Sequence, residues 1–150
     1  MYEHWDANAT VFTATVVAVG AGVLVHYEGL SLLSRSLAQR TSHRRRKVLY
    51  GIFGVLALHV LEMWIFGLTA AGLLLLPNTG SITGANPLGL LDAVYLAGTT
   101  YTTLGFGDLT PVGPIRFLVG MIALTGFVLV AWSASFTYLE MSRDWREGTS

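Results

Sequence analysis

Cysteine is absent from this chain of 150 residues, and charged residues are scarce. Without cysteine the chain can form no disulfide bond, no thiolate nucleophile and no cysteine-ligated metal site. Only 12% of the residues are charged, against roughly 25% in soluble domains, while 53% are hydrophobic. The nine acidic and nine basic residues cancel, and no basic stripe indicates nucleic-acid binding. This composition indicates an integral membrane protein.

Three apolar stretches are long enough to cross a bilayer as helices. They run over about 10–33, 48–76 and 114–139, and roughly 20 helical residues span a hydrocarbon core of about 30 Å. A fourth segment, 88–102, is too short to cross. A short helix between two spans can lie at membrane depth only where protein or water satisfies the backbone around it. The pattern therefore predicts a re-entrant pore helix.

Turn-forming residues precede this short helix. Residues 77–87 are polar and rich in glycine and turn residues, which predicts an exposed outer rim. At the end of the rim, Asn86 is suited to cap the helix and Pro87 to occupy its first turn, where a missing N–H costs nothing. We therefore expect the pore helix to begin near Leu88.

Basic residues crowd the connection between the first two spans. Such loops stay in the cytoplasm, and the acidic N-terminal tail, with Glu3 and Asp6 but no lysine or arginine, is then expected outside. The C-terminal tail is expected in the cytoplasm, and the rim and outer end of the pore on the opposite side. The end of this connection also offers a site for anionic lipid headgroups, although topology alone explains the cluster. Its basic residues are Arg35, Arg40, Arg44, Arg45, Arg46 and Lys47.

Residues 99–108 read Thr-Thr-Tyr-Thr-Thr-Leu-Gly-Phe-Gly-Asp. This run closely resembles the potassium-channel signature, in which a threonine-rich helix end leads into T-V-G-Y-G-D. The resemblance covers about 48–139, and its context between two spans makes it far more specific than a lone Gly-x-Gly. It implies an all-α integral membrane fold of three transmembrane helices, a re-entrant pore helix and a selectivity filter, assembled as a homotetramer.

The resemblance also implies how the filter binds ions. Carbonyl oxygens of four subunits replace the hydration shell of K⁺. The ion-binding carbonyls would belong to Thr103, Leu104, Gly105 and Phe106, with the Thr103 hydroxyl at the inner end. Gly105 and Gly107 are expected because aligned carbonyls require backbone angles that side chains disfavour. No cofactor is implied beyond the permeant potassium ion.

Two filter residues depart from the commonest family pattern. Leu104 replaces valine and Phe106 replaces tyrosine, and both are apolar, so selectivity is expected to survive. Phe106 lacks a phenolic hydroxyl that could bond behind the filter, which predicts a filter prone to inactivation. The expected support comes from Asp108, as an acidic ring at the mouth, from Tyr95, whose hydroxyl can reach Asp108 or simply pack, and from the threonines Thr99, Thr100 and Thr102.

Ionisable residues interrupt the first two spans. Glu62 lies about 21 Å along the helix from Val48, level with the pore helix, and is expected to bond Thr99, Thr100 or Tyr101. His59 lies one turn away. We expect His26 and Glu28 in the inner half of the membrane, near the basic loop or an adjacent subunit, at a depth that does not match Glu62. Interhelical hydrogen bonding is thus favoured over a metal or catalytic site.

Glycines occur in the first and in the last span of the chain. Gly126 in the last span is either a gating hinge or a packing residue, with neither favoured. The first span lacks an arginine at every third position and so does not resemble a voltage sensor. We expect it to be a peripheral helix that packs on the second span or on a neighbour, as Gly20 and Gly22 permit.

The chain is thus expected to divide into a peripheral part (1–47), a pore domain (48–141) and a cytoplasmic tail (142–150). Within the pore domain we expect an outer helix at 48–76, a rim at 77–87, a pore helix at 88–102, a filter at 103–108 and an inner helix at 114–139. The expected function is potassium conduction and not enzymatic catalysis. A less selective cation pore and a non-conducting scaffold or accessory subunit remain alternatives. A compact chain of this kind is typical of a bacterial plasma membrane.

Overall fold

Helices account for most of the chain in the computed structural model, which describes residues 5–39 and 44–146. Within these residues α1 spans Trp5–Ala38, α2 Arg44–Leu74, α3 Leu90–Tyr101 and α4 Arg116–Arg146. The long helices α1, α2 and α4 are each apolar enough to cross a membrane, as predicted. At about 1.5 Å per residue, each exceeds the hydrocarbon thickness, so the helix ends extend beyond the apolar stretches of the sequence.

The rim contains a small sheet that the sequence pattern did not predict. Strands β1 (Ser81–Thr83) and β2 (Thr110–Val112) pair antiparallel, with Ile82 opposite Pro111. The expectation of an all-helical fold is wrong at this point, because strands of three residues are too short to leave a periodic pattern. The sheet attaches the rim to the chain that follows the predicted filter.

A glycine beside β1 makes this attachment close. Gly84 has φ +112°, and a Cβ there would lie 1.9 Å from the carbonyl oxygen of Asp108. Only glycine fits both the backbone angle and the space. The rim therefore holds the backbone of Asp108 in close contact.

Helix α3 begins two residues later than predicted. Its N-cap is Gly89, whose N–H donates to Oδ2 of Asp92 at 2.7 Å. The predicted cap at Asn86 is wrong, since the extended Gly89 is the N-cap and Asn86 lies three residues before it. The acidic Asp92 also suits the first turn of a helix.

Helices α1 and α2 form an antiparallel pair whose contacts follow one register. A Cβ added at Gly22 would touch the Phe66 ring at 3.5 Å, and one added at Gly29 would meet Leu58. Gly22 therefore serves the predicted packing, whereas a Cβ added at Gly20 would have no atom within 4 Å. Helix α1 also packs on α4, so it covers both spans of the pore domain.

Helix α3 lies between α2 and α4, with glycines at both contacts. A Cβ at Gly67 would lie 2.7 Å from Cα of Val94, and one at Gly126 would lie 2.0 Å from the carbonyl oxygen of Tyr101. The absence of a side chain at these two positions lets the α3 backbone touch its neighbours. The completely buried Phe66 and Tyr101 fill the space around these contacts. This packing fixes the C-terminal end of α3, which leads into the predicted filter.

Candidate functional site

The sign of φ alternates along the backbone from Thr103 to Gly107. φ is +59° at Thr103, +54° at Gly105 and +80° at Gly107, while Leu104 and Phe106 lie outside the left-handed region. An alternation of this kind can turn successive peptide groups the same way. This conformation is suited to presenting a row of carbonyl oxygens on one side of the chain, as a cation filter requires. The left-handed Thr103 was not predicted, since side chains disfavour that region.

The alternating segment is attached to the end of α3 by backbone hydrogen bonds. The N–H of Gly105 donates to the Thr99 carbonyl at 3.0 Å, and that of Thr103 donates to Thr100 at 2.9 Å. Within one subunit, every residue from 102 to 108 is exposed. Polar backbone at membrane depth requires protein or water around it, so this exposed segment is suited to facing an aqueous pore or other subunits.

The polar groups around the filter match the prediction in part. The Tyr95 hydroxyl donates to Oδ2 of Asp108 at 2.9 Å, so the expected contact is present. The hydroxyls of Thr99 and Thr102 donate instead to carbonyls of their own helix, at 3.1 Å and 2.9 Å. The expected contact of Glu62 with Thr99 or Thr100 is absent among the described residues.

Glu62 is instead the centre of a buried polar cluster that draws on three helices. His26 Nδ1 lies 2.7 Å from Oε1 of Glu62, and His59 Nδ1 lies 3.0 Å from Oε2. The Tyr101 hydroxyl donates to Oε2 and lies 2.9 Å from His59 Nδ1. His26, Glu62 and Tyr101 are 0% exposed. Of the alternatives offered for Glu62, the contact with Tyr101 is confirmed.

The contact between His26 and Glu62 corrects the expected depth of His26. Counting from the ends of the apolar stretches places His26 about 10 Å from Leu33 and Glu62 about 21 Å from Val48, yet the two side chains are in contact. Because Gly22 meets Phe66 and Gly29 meets Leu58, the register between these contacts brings His26 opposite Glu62. The expectation of unequal depths, which counted against a shared site, is wrong.

The remaining predicted residues contribute no side chain to this cluster among the described residues. Glu28 is exposed on α1, two residues from His26, and so faces away from Glu62. Gly126 contacts the Tyr101 backbone, which accounts for glycine there by packing. Arg40 and the side chains of Arg44 and Arg45 lie outside the described residues. Glu140, which was not predicted to act, accepts a hydrogen bond from Ser34 at 2.8 Å and thus links α4 to α1.

Comparison with known proteins agrees with this geometry. The family model described as "Ion channel" (Ion_trans_2) matches residues 55–141, which include α3, the alternating segment and most of the two helices that flank them. No solved structure matches the chain.

Two curated relatives are similar over part of the chain. Protein LctB of Geobacillus stearothermophilus is 34% identical over 67 residues, which cover 45% of this chain and 50% of that protein. Protein LctB of Bacillus caldotenax is 39% identical over 56 residues, which cover 37% of this chain and 40% of that protein. The chain thus aligns with half or less of each relative. Because the family model covers more than half of the chain, including the whole of the candidate filter, this integral membrane protein belongs to the ion-channel family.

Proposed function

We propose that the chain is one subunit of a homotetrameric, potassium-selective channel that conducts K⁺ passively through a filter formed by residues 103–107. The observation that carries the proposal is the alternating backbone of these residues, with φ positive at Thr103, Gly105 and Gly107. Carbonyls in such a row can replace the hydration shell of an ion on the axis. One subunit leaves this segment exposed, and four copies around an axis would enclose it.

The groups behind the filter support the same function. Tyr95 bonds Asp108 at the outer end of the filter, and Tyr101 bonds Glu62 just before its inner end. In the tetramer the four Asp108 carboxylates form a ring that concentrates cations at the mouth. Thr100, at the end of the pore helix, adds to this support because its carbonyl accepts the N–H of Thr103.

The orientation follows from the basic connection between α1 and α2. With that connection in the cytoplasm, the N-terminus and the β1–β2 rim face outward and the C-terminus faces inward, in a bacterial plasma membrane. Anionic headgroups are proposed partners of Arg44, Arg45, Arg46 and Lys47.

Reconstitution in liposomes tests the proposed selectivity. Purified protein is expected to carry K⁺ down a gradient far faster than Na⁺, with block by Ba²⁺, because the carbonyl row coordinates a dehydrated K⁺ ion. A fluorescent dye that reports the movement of the counterion measures the K⁺ and Na⁺ fluxes. Protein-free liposomes are the control. Equal K⁺ and Na⁺ fluxes would support the less selective cation pore. No flux of either ion from protein that is tetrameric by mass would support a non-conducting scaffold.

Phe106 provides a test of filter stability. Phe106→Tyr is expected to slow the decay of macroscopic K⁺ current, because the added hydroxyl can form a hydrogen bond behind the filter that phenylalanine cannot. Leu104→Val is the matched control, since it restores the other common family residue without adding a polar group. Recordings under a sustained stimulus compare the three proteins. An unchanged or faster decay in Phe106→Tyr would contradict the proposed weak support.

A further inference from the structure

We propose that His26, His59, Glu62 and Tyr101 form a binding site for one divalent transition-metal ion of the Zn²⁺ class. The site lies behind the filter and is distinct from the ion path. It does not depend on the proposed conduction of K⁺, because its ligands are side chains buried between α1, α2 and α3.

The distances within the cluster suit a small tetrahedral site. One ligand atom each of His26, His59 and Glu62 lies within 4.8 Å of the others, and the Tyr101 oxygen lies 2.9 Å from His59 Nδ1. Tetrahedral Zn²⁺ with bonds of about 2.0–2.1 Å separates its ligands by about 3.3 Å. The ion would therefore enter by a small outward movement of atoms that now share hydrogen bonds.

The ligand types favour this class of metal over the hard cations. Two imidazoles and one carboxylate are typical ligands of Zn²⁺, whereas Mg²⁺ and Ca²⁺ select sites made of oxygen alone. The negative charge of the Glu62 carboxylate offsets one of the two positive charges of the metal ion. This lowers the free-energy cost of holding the ion at membrane depth. Tyr101 supplies its phenolic oxygen as the fourth ligand, in the position that water would occupy in an open site.

The surroundings supply an outer partner for one of the ligands. Metal binding at Nδ1 of His26 leaves the ring proton on Nε2, which faces the Ser133 hydroxyl at 3.4 Å. Such a partner for the second nitrogen usually accompanies a metal-bound histidine. The cluster therefore includes both a set of ligands and a group that orients one of them.

Direct binding to the untagged protein in detergent tests the site. Co²⁺ is expected to bind once per chain and to give the intense visible absorption of a tetrahedral complex, which added Zn²⁺ then removes by displacement. Zn²⁺ should also raise the thermal unfolding temperature, because binding to the native state alone stabilises it. Mg²⁺ at the same concentration should do neither.

Substitutions identify the ligands. His26→Asn and His59→Asn keep a hydrogen-bond-donating N–H near the position of Nδ1 but remove the imidazole ligand, so they are expected to weaken Co²⁺ binding by at least about 100-fold. Ser133→Ala, which removes an outer partner, is expected to weaken it by about 10-fold. The matched control is the double variant His4→Gln/His43→Gln, which removes the other two of the four histidines and should bind as the unsubstituted protein does.

Three results would overturn the site. These are no saturable Co²⁺ or Zn²⁺ binding, binding that His26→Asn and His59→Asn leave unchanged, and binding that is lost only in the His4→Gln/His43→Gln control. If the asparagine variants do not fold, X-ray absorption of the Zn²⁺-loaded unsubstituted protein decides the question. Two imidazole ligands support the site, and fewer than two contradict it.

Discussion

Replacing Gly105 with alanine is expected to abolish K⁺ flux while the subunit still folds. Gly105 has φ +54°, and a Cβ there would meet no atom of its own subunit within 4 Å. Within one subunit, the alanine therefore destabilises the fold only by the conformational free energy of a left-handed residue, about 1–2 kcal/mol. Thr103 already adopts such a conformation, at φ +59°. In the proposed tetramer, four added methyl groups meet around one narrow axis and disturb the carbonyl row, so conduction is lost for reasons that one subunit does not reveal.

Gly113→Ala is the control that separates the effect of backbone strain from the effect of a change in the proposed filter. Gly113 has φ +83° but lies beyond β2, where an added Cβ would be 3.1 Å from Cα of Gly80. We expect this variant to lose at least as much stability as Gly105→Ala and to retain K⁺ flux. Liposome flux and thermal unfolding, measured on both variants at equal tetramer content, provide the comparison. Normal flux through Gly105→Ala would contradict the assignment of residues 103–107 as the filter.

The three spans and the short helix α3 were predicted from the sequence because each has a local signature. Spans leave long apolar stretches, and the filter leaves glycines at fixed positions. The weaker predictions concerned ends and short elements. The N-cap moved from Asn86 to Gly89 because Asp92, three residues later, accepts the N–H of Gly89, and β1 and β2 depend on a pairing between distant segments.

The polar cluster shows where a count along one helix fails. His26 and Glu62 lie 36 residues apart and touch because of the register between α1 and α2. Hydropathy locates the apolar part of a helix, whereas the register between two helices depends on where the chain turns. The glycines at 22, 29 and 54, which each face a large side chain of the partner helix, were the signal in the sequence that could have found this register.

Gly126→Ala is expected to destabilise the subunit by about 3 kcal/mol, the upper end of the usual cost of overpacking. The added Cβ would lie 2.0 Å from the carbonyl oxygen and 2.8 Å from Cα of Tyr101. These are backbone atoms at the end of α3, which cannot rotate away as a flexible side chain can. In an open helix position the same change would instead gain about 0.5–1 kcal/mol. Equilibrium unfolding in detergent measures the loss, and Gly120→Ala, on the same helix with nothing within 4 Å, is the matched control.

The same measurement separates packing at Gly126 from a gating hinge. A hinge predicts normal stability in Gly126→Ala with an altered open probability, because alanine stiffens the helix without touching α3. Packing predicts lost stability first, with any change in conduction following from the displaced Tyr101. A loss of open probability alone therefore cannot identify a hinge, since Tyr101 lies two residues before the proposed filter and bonds Glu62. If Gly126→Ala is as stable as Gly120→Ala, the close approach to Tyr101 does not constrain the fold, and the hinge becomes the better explanation for glycine at this position.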